Sequence, residues 1–492
     1  MVKKLPKGWE EAELAELVPL PKQAIVDGPF GSNLKASEYQ EKGIPIIRLQ
    51  NIDRNLFINK NIKFITAKKA KELQRHNFKS GDIAVTKLGA PLGKAAIIPK
   101  EMGEGIIVAD VVRVRTDEKF VDKKYLTYGI NSPSVTQSLA RETKGTTRPR
   151  VNLKHIRELK IPTAPLNEQK RIVDKIERLF SDLDEGEAQI KQVQKQLATY
   201  RQSVLKAAVT GELTKDWRKR NKHKLEPGEK LLERILKSRR DNWEGTGKYK
   251  EPEFPDVQGL HNIPSEWTWG TLPQLGEFGR GKSKHRPRND PKLYENGVYP
   301  FLQTGTVRAS SGRINTYDKK YNELGLKQSK LWPIGTVCIT IAANIAESGI
   351  LEIEACFPDS VVGLVAGDGV SAKYIEFFIR TAKQNLDAYA PATAQKNINL
   401  EILGKVAIPL PSFEEQEEIV DLVSDIFSQI DAMEKWCEEG LRRSATLRQS
   451  ILKAAFSGKL VPQDPADEPA SELLKRIQAT QNNNHQKKGK AA

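Results

Sequence analysis

A chain of 492 residues, 38% hydrophobic and 29% charged, is too long for one core of about 100 to 200 residues and too apolar to be disordered, so at least two domains are expected. Lys and Arg number 79 against 63 Asp and Glu, a formal +16 that makes a polyanion a serious partner, nucleic acid ahead of an anionic membrane surface. A membrane-spanning chain and a secreted disulfide scaffold are the classes excluded. The most apolar stretch, 337–346, is broken by Thr and Asn, the N-terminus MVKKLPKGWE lacks a signal peptide's apolar run, and Cys338, Cys356 and Cys437 are odd in number and far apart. These features predict a reduced, cytoplasmic protein without a structural zinc site.

In chain order, residues 1–163 read as a globular front of mixed strands and helices. Three of its stretches carry groups suited to nucleic acid. They are the polar, Gly-rich GPFGSNLKASEY at 28–39 with Lys35, the strand-end run Arg48-Leu-Gln50-Asn51, and a basic cluster with Arg141, Lys144 and the turn Gly-Thr146-Thr147-Arg148-Pro-Arg150. Arg, Lys, Asn and Gln pair bidentately with purine edges, and Thr hydrogen-bonds or touches a thymine methyl.

Residues 164–213 predict a long helix. Its apolar or small positions Ile172, Ile176, Leu179, Leu183, Gly186, Ile190, Val193, Leu197, Tyr200, Val204 and Ala207 are spaced alternately four and three, the signature of a coiled-coil seam. Residues 214–262, charged and punctuated by Pro and Gly, predict an exposed connector with one short helical piece at 230–239.

A second front follows at 263–410. Here Arg280, Lys282, Lys284, Arg286 and Arg288 form a run with no acid, the last four alternating with Ser283, His285 and Pro287. In an extended chain such cations project to one side, as tracking a phosphate backbone requires, although a solvated charged loop has the same composition. Gln303, Thr304, Thr306 and Arg308 match the strand-end run of the first front, and Gln395 and Lys396 match the basic turn. A second long helix at 411–460 carries the seam Ile419, Val423, Ile426, Ile430, Met433, Cys437, Gly440, Ser444, Leu447 and Ile451. The segment 461–492 opens on an echo of the connector's helix, at 462–478, and ends in a frayed tail.

The order itself is a duplication. RQSVLKAAVTGEL at 201–213 and RQSILKAAFSGKL at 448–460 agree at nine of thirteen positions, at an offset of 247 that holds back to Ile161-Pro162 against Ile408-Pro409. Upstream the offset drifts, through GDIAVT at 81–86 against GTVCIT at 335–340, to LPKGW at 5–9 against IPSEW at 263–267. Two seams in the same phase pack most economically on each other. Each helix, about 42 residues, would span on the order of 60 Å. The alternative is two long helices, each packed on its own front.

Catalytic motifs are thin. Gly276 to Ser283 fits GxxxxGK[ST], but Pro287 and Pro291 forbid the helix that a phosphate loop needs after it. The six histidines show no metal-ligand spacing, and no base-flipping tetrapeptide of the aminomethyltransferase kind is present.

Two unlike fronts that begin P-x-x-W, each leading through I-P and E-Q to a long helix that closes RQS-[VI]-LKAA-x-x-G-x-L, resemble the specificity subunit of Type I restriction-modification enzymes over nearly the full length. The resemblance implies an α+β chain with two target-recognition domains and an antiparallel coiled coil between them. It also implies double-stranded DNA as ligand and methyltransferase subunits, two of them, docked on the repeated regions, with restriction and translocase subunits joining them. S-adenosylmethionine, ATP and Mg would then belong to those partners, and this chain would hold no cofactor. Carried onto this sequence, the family's groove-facing loops fall on 282–288 and 146–150. A pseudo-two-fold body with two unlike readers should read a bipartite, asymmetric target, the halves about one DNA turn apart, roughly 34–36 Å. A coiled-coil tether for two protein-binding domains remains the reading from a different class, with an NTPase at 276–283 behind it.

Overall fold

Leu166–Val209 and Phe413–Ala455 are single helices of 44 and 43 residues. The structure, a computed structural model, describes residues 5–141, 149–243, 247–341, 347–382 and 400–489. It divides into two units, Met1–Lys191 with Glu438–Ala492, and Gln192–Cys437, each holding one front and part of both long helices.

In the first unit, Ile25–Asp27, Val111–Val114, Ile83–Thr86 and Ala95–Ile97 form an antiparallel sheet in that spatial order. A second sheet runs Lys63–Ile65, Ile44–Ile47, Glu104–Ile107, Asn77–Lys79, its central pair parallel. The central strands IAVT and VVRV are buried along their whole length because both faces are covered. Arg113, inside VVRV, survives there by donating to the Asn77 carbonyl, the Asn77 side chain and the Gln23 carbonyl. Burial still lowers its pKa to about 10.

The second unit repeats the plan. Gly276–Arg280, Val361–Ala366, Val337–Thr340, Ser348–Leu351 and Arg313–Ile314 make the first sheet. Lys319–Tyr321, Tyr299–Phe301, Ala355–Cys356 and Leu331–Trp332 make the other, again with a parallel central pair.

Each front is clasped to its long helix in the same way. Glu10–Glu13 pairs with Lys160–Thr163, and Thr268–Gly270 with Ile408–Leu410. Trp9 Nε1 donates to Glu168 at 3.0 Å, and Trp267 Nε1 to Glu415 at 2.9 Å. Tyr125 and Tyr374 both donate to a proline carbonyl of the clasp, Pro162 and Pro409, at 2.8 Å. Gln169 accepts from the Asp122 amide as Gln416 does from Ser371. The Glu-Gln pair that opens each helix therefore satisfies buried polar groups on both sides of the junction.

The helices pair antiparallel within each unit. In the first, Arg448 bridges Asp184 and Glu187 at 2.7 and 3.1 Å over the Phe180 ring, and Ser444 donates to Glu187. In the second, Arg201 bridges Asp431 and Glu434 at 2.6 and 3.4 Å over the Phe427 ring. These are the same positions of the repeat at the offset of 247, so each unit pairs its helices through equivalent residues.

Most of the expected seam is buried or partly buried, and four of its positions are corrected by one residue. Ile172, Ile176, Leu197, Val204, Ile419, Val423 and Ile430 are buried, and Leu179, Leu183, Ile190, Ile426 and Ile451 are partly buried. Val193, Met433 and Leu447, with Tyr200, are 40–51% exposed. Their neighbours Gln194, Glu434, Arg448 and Arg201 face inward instead. The alternate stripe runs through 187, 194 and 201, and through 434, 441 and 448. Long polar side chains there bury their stems and keep their charges in interhelical pairs, which a hydrophobicity pattern misses.

Two further expectations are corrected. The connector's expected helix is Gly228–Asp241, preceded by a further one at Lys215–Asn221, but the segment is not exposed throughout: Leu231, Leu232 and Ile235 join the core of the second unit. Three apolar residues at helical spacing decide this, against the charge around them. The C-terminal segment does not fray at 481 but continues in the helix Ala470–Gly489, with Leu473 and Ile477 buried and Gln481 donating to the Ala15 and Val18 carbonyls. The echo is close: Arg234 pairs with Glu226 and Arg476 with Glu468, while the Gly228 and Ala470 amides both donate to a front's opening turn, at Glu266 and Gly8.

Candidate nucleic-acid interface

Strand direction determines which loops meet. In the first unit the antiparallel registers bring the loops after Asp27 and Thr86, and the one before Val111, to one end of the first sheet. Leu88 bridges Arg150 there, and the Val151 amide donates to Lys87. In the second unit the same logic gathers 281–290, the turn before Val361 and the end of Val337–Thr340. Each front thus presents one cluster of loops, on equivalent frames, with unlike side chains.

The expected cations divide into three groups. Lys282, Lys284, Arg286 and Arg288 are exposed, with Gly281 buried before the first of them and Ser283 between the first two, as an extended chain requires. Beyond His285 the chain turns, and Arg286 folds back on the Ser283 and His285 carbonyls. His285 lies 2.8 Å from Asp290, whose carboxyl is held below its usual pKa by the Lys292 amide and then by His285. Arg280, Lys35, Gln50, Gln303, Arg308 and Arg141 are also exposed, while Thr304 and Thr306 are partly so.

A second group is already engaged. Arg150 pairs with Asp110 at 2.6 Å and Arg288 with Asp359 at 2.7 Å, each acid standing just before the central strand of its sheet. Arg48 is half-buried, donates to the Asn61 carbonyl and lies over Tyr39. Thr306 donates to Asp318, which also accepts from the Gln303 amide. Asn51 is corrected outright. It is fully buried, accepts from the Arg48 amide and donates to the Ile58 and Lys60 carbonyls, so nothing remains to reach a base.

A third group, Lys144, Thr146, Thr147, Arg148, Gln395 and Lys396, lies outside the described residues. Sequence reasoning missed Lys87 and Lys94 in the glycine-containing loop KLGAPLGK, where they are held by Asp27 and Asp53 at 2.9 Å. The two flanking lysines were the available signal.

The phosphate-loop pattern has no such geometry. Gly276–Arg280 is itself a strand, and no helix begins within 281–290. Among the described residues no three His, Cys, Asp or Glu are placed to hold a metal ion, and no helix is long and apolar enough to cross a membrane.

Comparison with known proteins agrees with this architecture. The family model for the Type I restriction modification DNA specificity domain matches twice, at residues 6–195 and 264–439. The chain is 25% identical to the Type I restriction enzyme EcoKI specificity subunit of Escherichia coli K12, over 97% of this chain and 96% of that one. It is 24% identical to the StySPI specificity subunit of Salmonella potsdam over the same shares. A solved structure described as the basis of complex assembly and conformational transition of the type I R-M system superposes with a TM-score of 0.62, at 20% identity over 93% of this chain and 99% of that one. The HsdS subunit of Thermoanaerobacter tengcongensis gives 0.52 at 20% identity, covering 93% and 98%.

Proposed function

The chain belongs to the Type I restriction-modification DNA specificity family, as a specificity subunit, and on that premise we propose how it divides the reading of DNA between its two fronts. Each loop cluster reads one half of a bipartite, asymmetric duplex target. The observation that carries this is the pair of equivalent sheet ends with unlike loops: a common frame gives both readers the same approach to the helix, and the divergent side chains give each its own half-site. In the second front the exposed run Lys282 to Arg288 tracks phosphates, with Gln303 and Arg308 alongside. In the first, the exposed Lys35 serves that role.

Two methyltransferase subunits dock on the repeated regions and bring S-adenosylmethionine. Restriction subunits join them with ATP and Mg, and the assembly works in the cytoplasm. In the second unit Val193, Tyr200, Met433 and Trp436 leave an exposed apolar stripe outside the seam, which suits such docking and predicts aggregation of the chain when unpartnered. The coiled coil sets the unread spacer of about one DNA turn.

The test is to co-express the chain with its methyltransferase subunit and map the methylated positions. Replacing residues 263–410 with another family member's front should change one half of the methylated sequence. Change in both halves, or in neither, would refute the division of labour.

A further inference from the structure

Phe30 is the most exposed large hydrophobic side chain among the described residues, at 81%. It stands on the loop that follows Asp27, inside the loop cluster of the first front, and the loop holds it there. The Gly28 amide donates to Val111 at 3.0 Å, and the backbone packs so closely that a Cβ on Gly28 would lie 1.9 Å from the Val108 carbonyl oxygen. Pro29 is buried, the Asn33 amide closes a turn on the Phe30 carbonyl at 2.8 Å, and Leu34 anchors the far side in the core. Residues 30–33 therefore form a short tip on a fixed base, with an aromatic ring at its front.

The second front builds the same base for different cargo. The Gly281 amide donates to Val361 at 2.9 Å, and a Cβ there would meet the Phe357 carbonyl oxygen at 2.2 Å. The residues that follow are Lys282, Ser283 and Lys284 in place of Pro29, Phe30 and Gly31. Phe30 thus corresponds to the buried Ser283, and the second reader carries exposed cations on either side of that position where the first carries a bare ring.

An exposed aromatic ring on a DNA-facing loop suits the apolar part of a base: it stacks on a face, wedges at a step or covers a thymine methyl. We propose that Phe30 is a specificity-determining residue that makes an apolar contact with the bases of the half-site read by the first front, where the second front grips phosphates with Lys282 and Lys284. This rests on the reading of the chain as a DNA-specificity subunit.

The two contacts differ in their response to salt. Phosphate contacts release counterions, so each one lost flattens the plot of log affinity against log salt by about 0.9, whereas an apolar contact leaves that slope alone. The full chain, assembled with its methyltransferase subunits, is titrated with a duplex carrying the mapped site at salt from about 50 to 300 mM. Phe30→Ala should weaken binding by about tenfold or more at every salt with a parallel line, the size expected for one lost aromatic–base contact. Phe30→Leu should retain part of the affinity. Lys282→Ala with Lys284→Ala should flatten the slope by about 2. An unchanged affinity for Phe30→Ala, a changed slope for it, or loss of the methyltransferase subunits from the assembly would overturn the proposal while leaving the DNA-reading function intact. If the unmodified assembly bound no duplex specifically, the reading beneath it would fall too.

Discussion

Glu168 and Glu415 open the two long helices and accept from the same kind of indole, yet their surroundings differ. Glu415 Oε2 takes Trp267, while its Oε1 takes Thr214 and Arg218, both at 2.6 Å. Arg218 also donates to the Gly211 carbonyl and lies over Trp267. Glu168 takes Trp9 on Oε2, and its Oε1 is buried without a hydrogen-bond partner among the described residues. At the repeat offset, Thr214 and Arg218 correspond to Val461 and Pro465, and the helix Lys215–Asn221 has no counterpart there. The nearest cation, Arg171, is held by Asp467 at 2.6 Å. Burial consequently raises the Glu168 carboxyl above its ordinary pKa, with Trp9 and Arg171 opposing. Duplication copied the joint, and divergence of the segment after each helix left one carboxylate neutralised and the other stranded.

The largest expected effect is at the completed joint. Arg218→Ala strands a buried carboxylate and should cost about 3–5 kcal/mol, with hydrogen exchange accelerated at 263–270 and 408–416 but not in the first unit. A loss below about 1 kcal/mol would mean the two joints are equivalent after all. Trp267→Phe removes one charged hydrogen bond and should cost about 1.5–3 kcal/mol by urea unfolding. Glu168→Gln should change stability by no more than about 1 kcal/mol at pH 7. A carboxyl with a raised folded-state pKa binds its proton more tightly folded than unfolded. Its contribution therefore improves as pH falls through the raised value and is complete below the ordinary value of 4.5. Glu168→Gln should remove that part of the pH profile, and an unaltered profile would show that Glu168 is not stranded. The smallest effect tests the corrected seam: Val193→Lys should stay within about 0.5 kcal/mol, because the side chain already faces water.

The sequence disclosed what periodicity and repetition can carry. Nine identities in thirteen residues revealed the two-fold plan, and Leu183, Ile190, Leu197 and Val204 marked one stripe of the seam, because large aliphatic residues recur there every seven positions. The other stripe was misplaced because it consists of Glu187, Gln194 and Arg201, whose inward orientation depends on the facing helix and not on their own hydrophobicity. The connector's helix was legible but its burial was missed, for the related reason that Leu231, Leu232 and Ile235 are few among many charges. The loop residues were the least legible. Asn51 has the chemistry of a base reader and spends it on three backbone groups, while Asp110 and Asp359 lie far in sequence from the arginines they engage. Sequence shows which groups a loop owns, and only the fold shows which are already spoken for.

The return of the C-terminal helix to the first front has a consequence for the order of events on the ribosome. The second unit is one continuous stretch, Gln192–Cys437, and every residue of its largest core has been synthesised by Ile430. The first unit has two pieces, and the second brings Leu452, Phe456, Leu473 and Ile477, which are made only after the whole of the second unit. A nascent chain can complete its middle while its beginning still waits for those partners. The usual succession, in which the first-made domain is the first to finish, is reversed: the unit that begins the chain closes last.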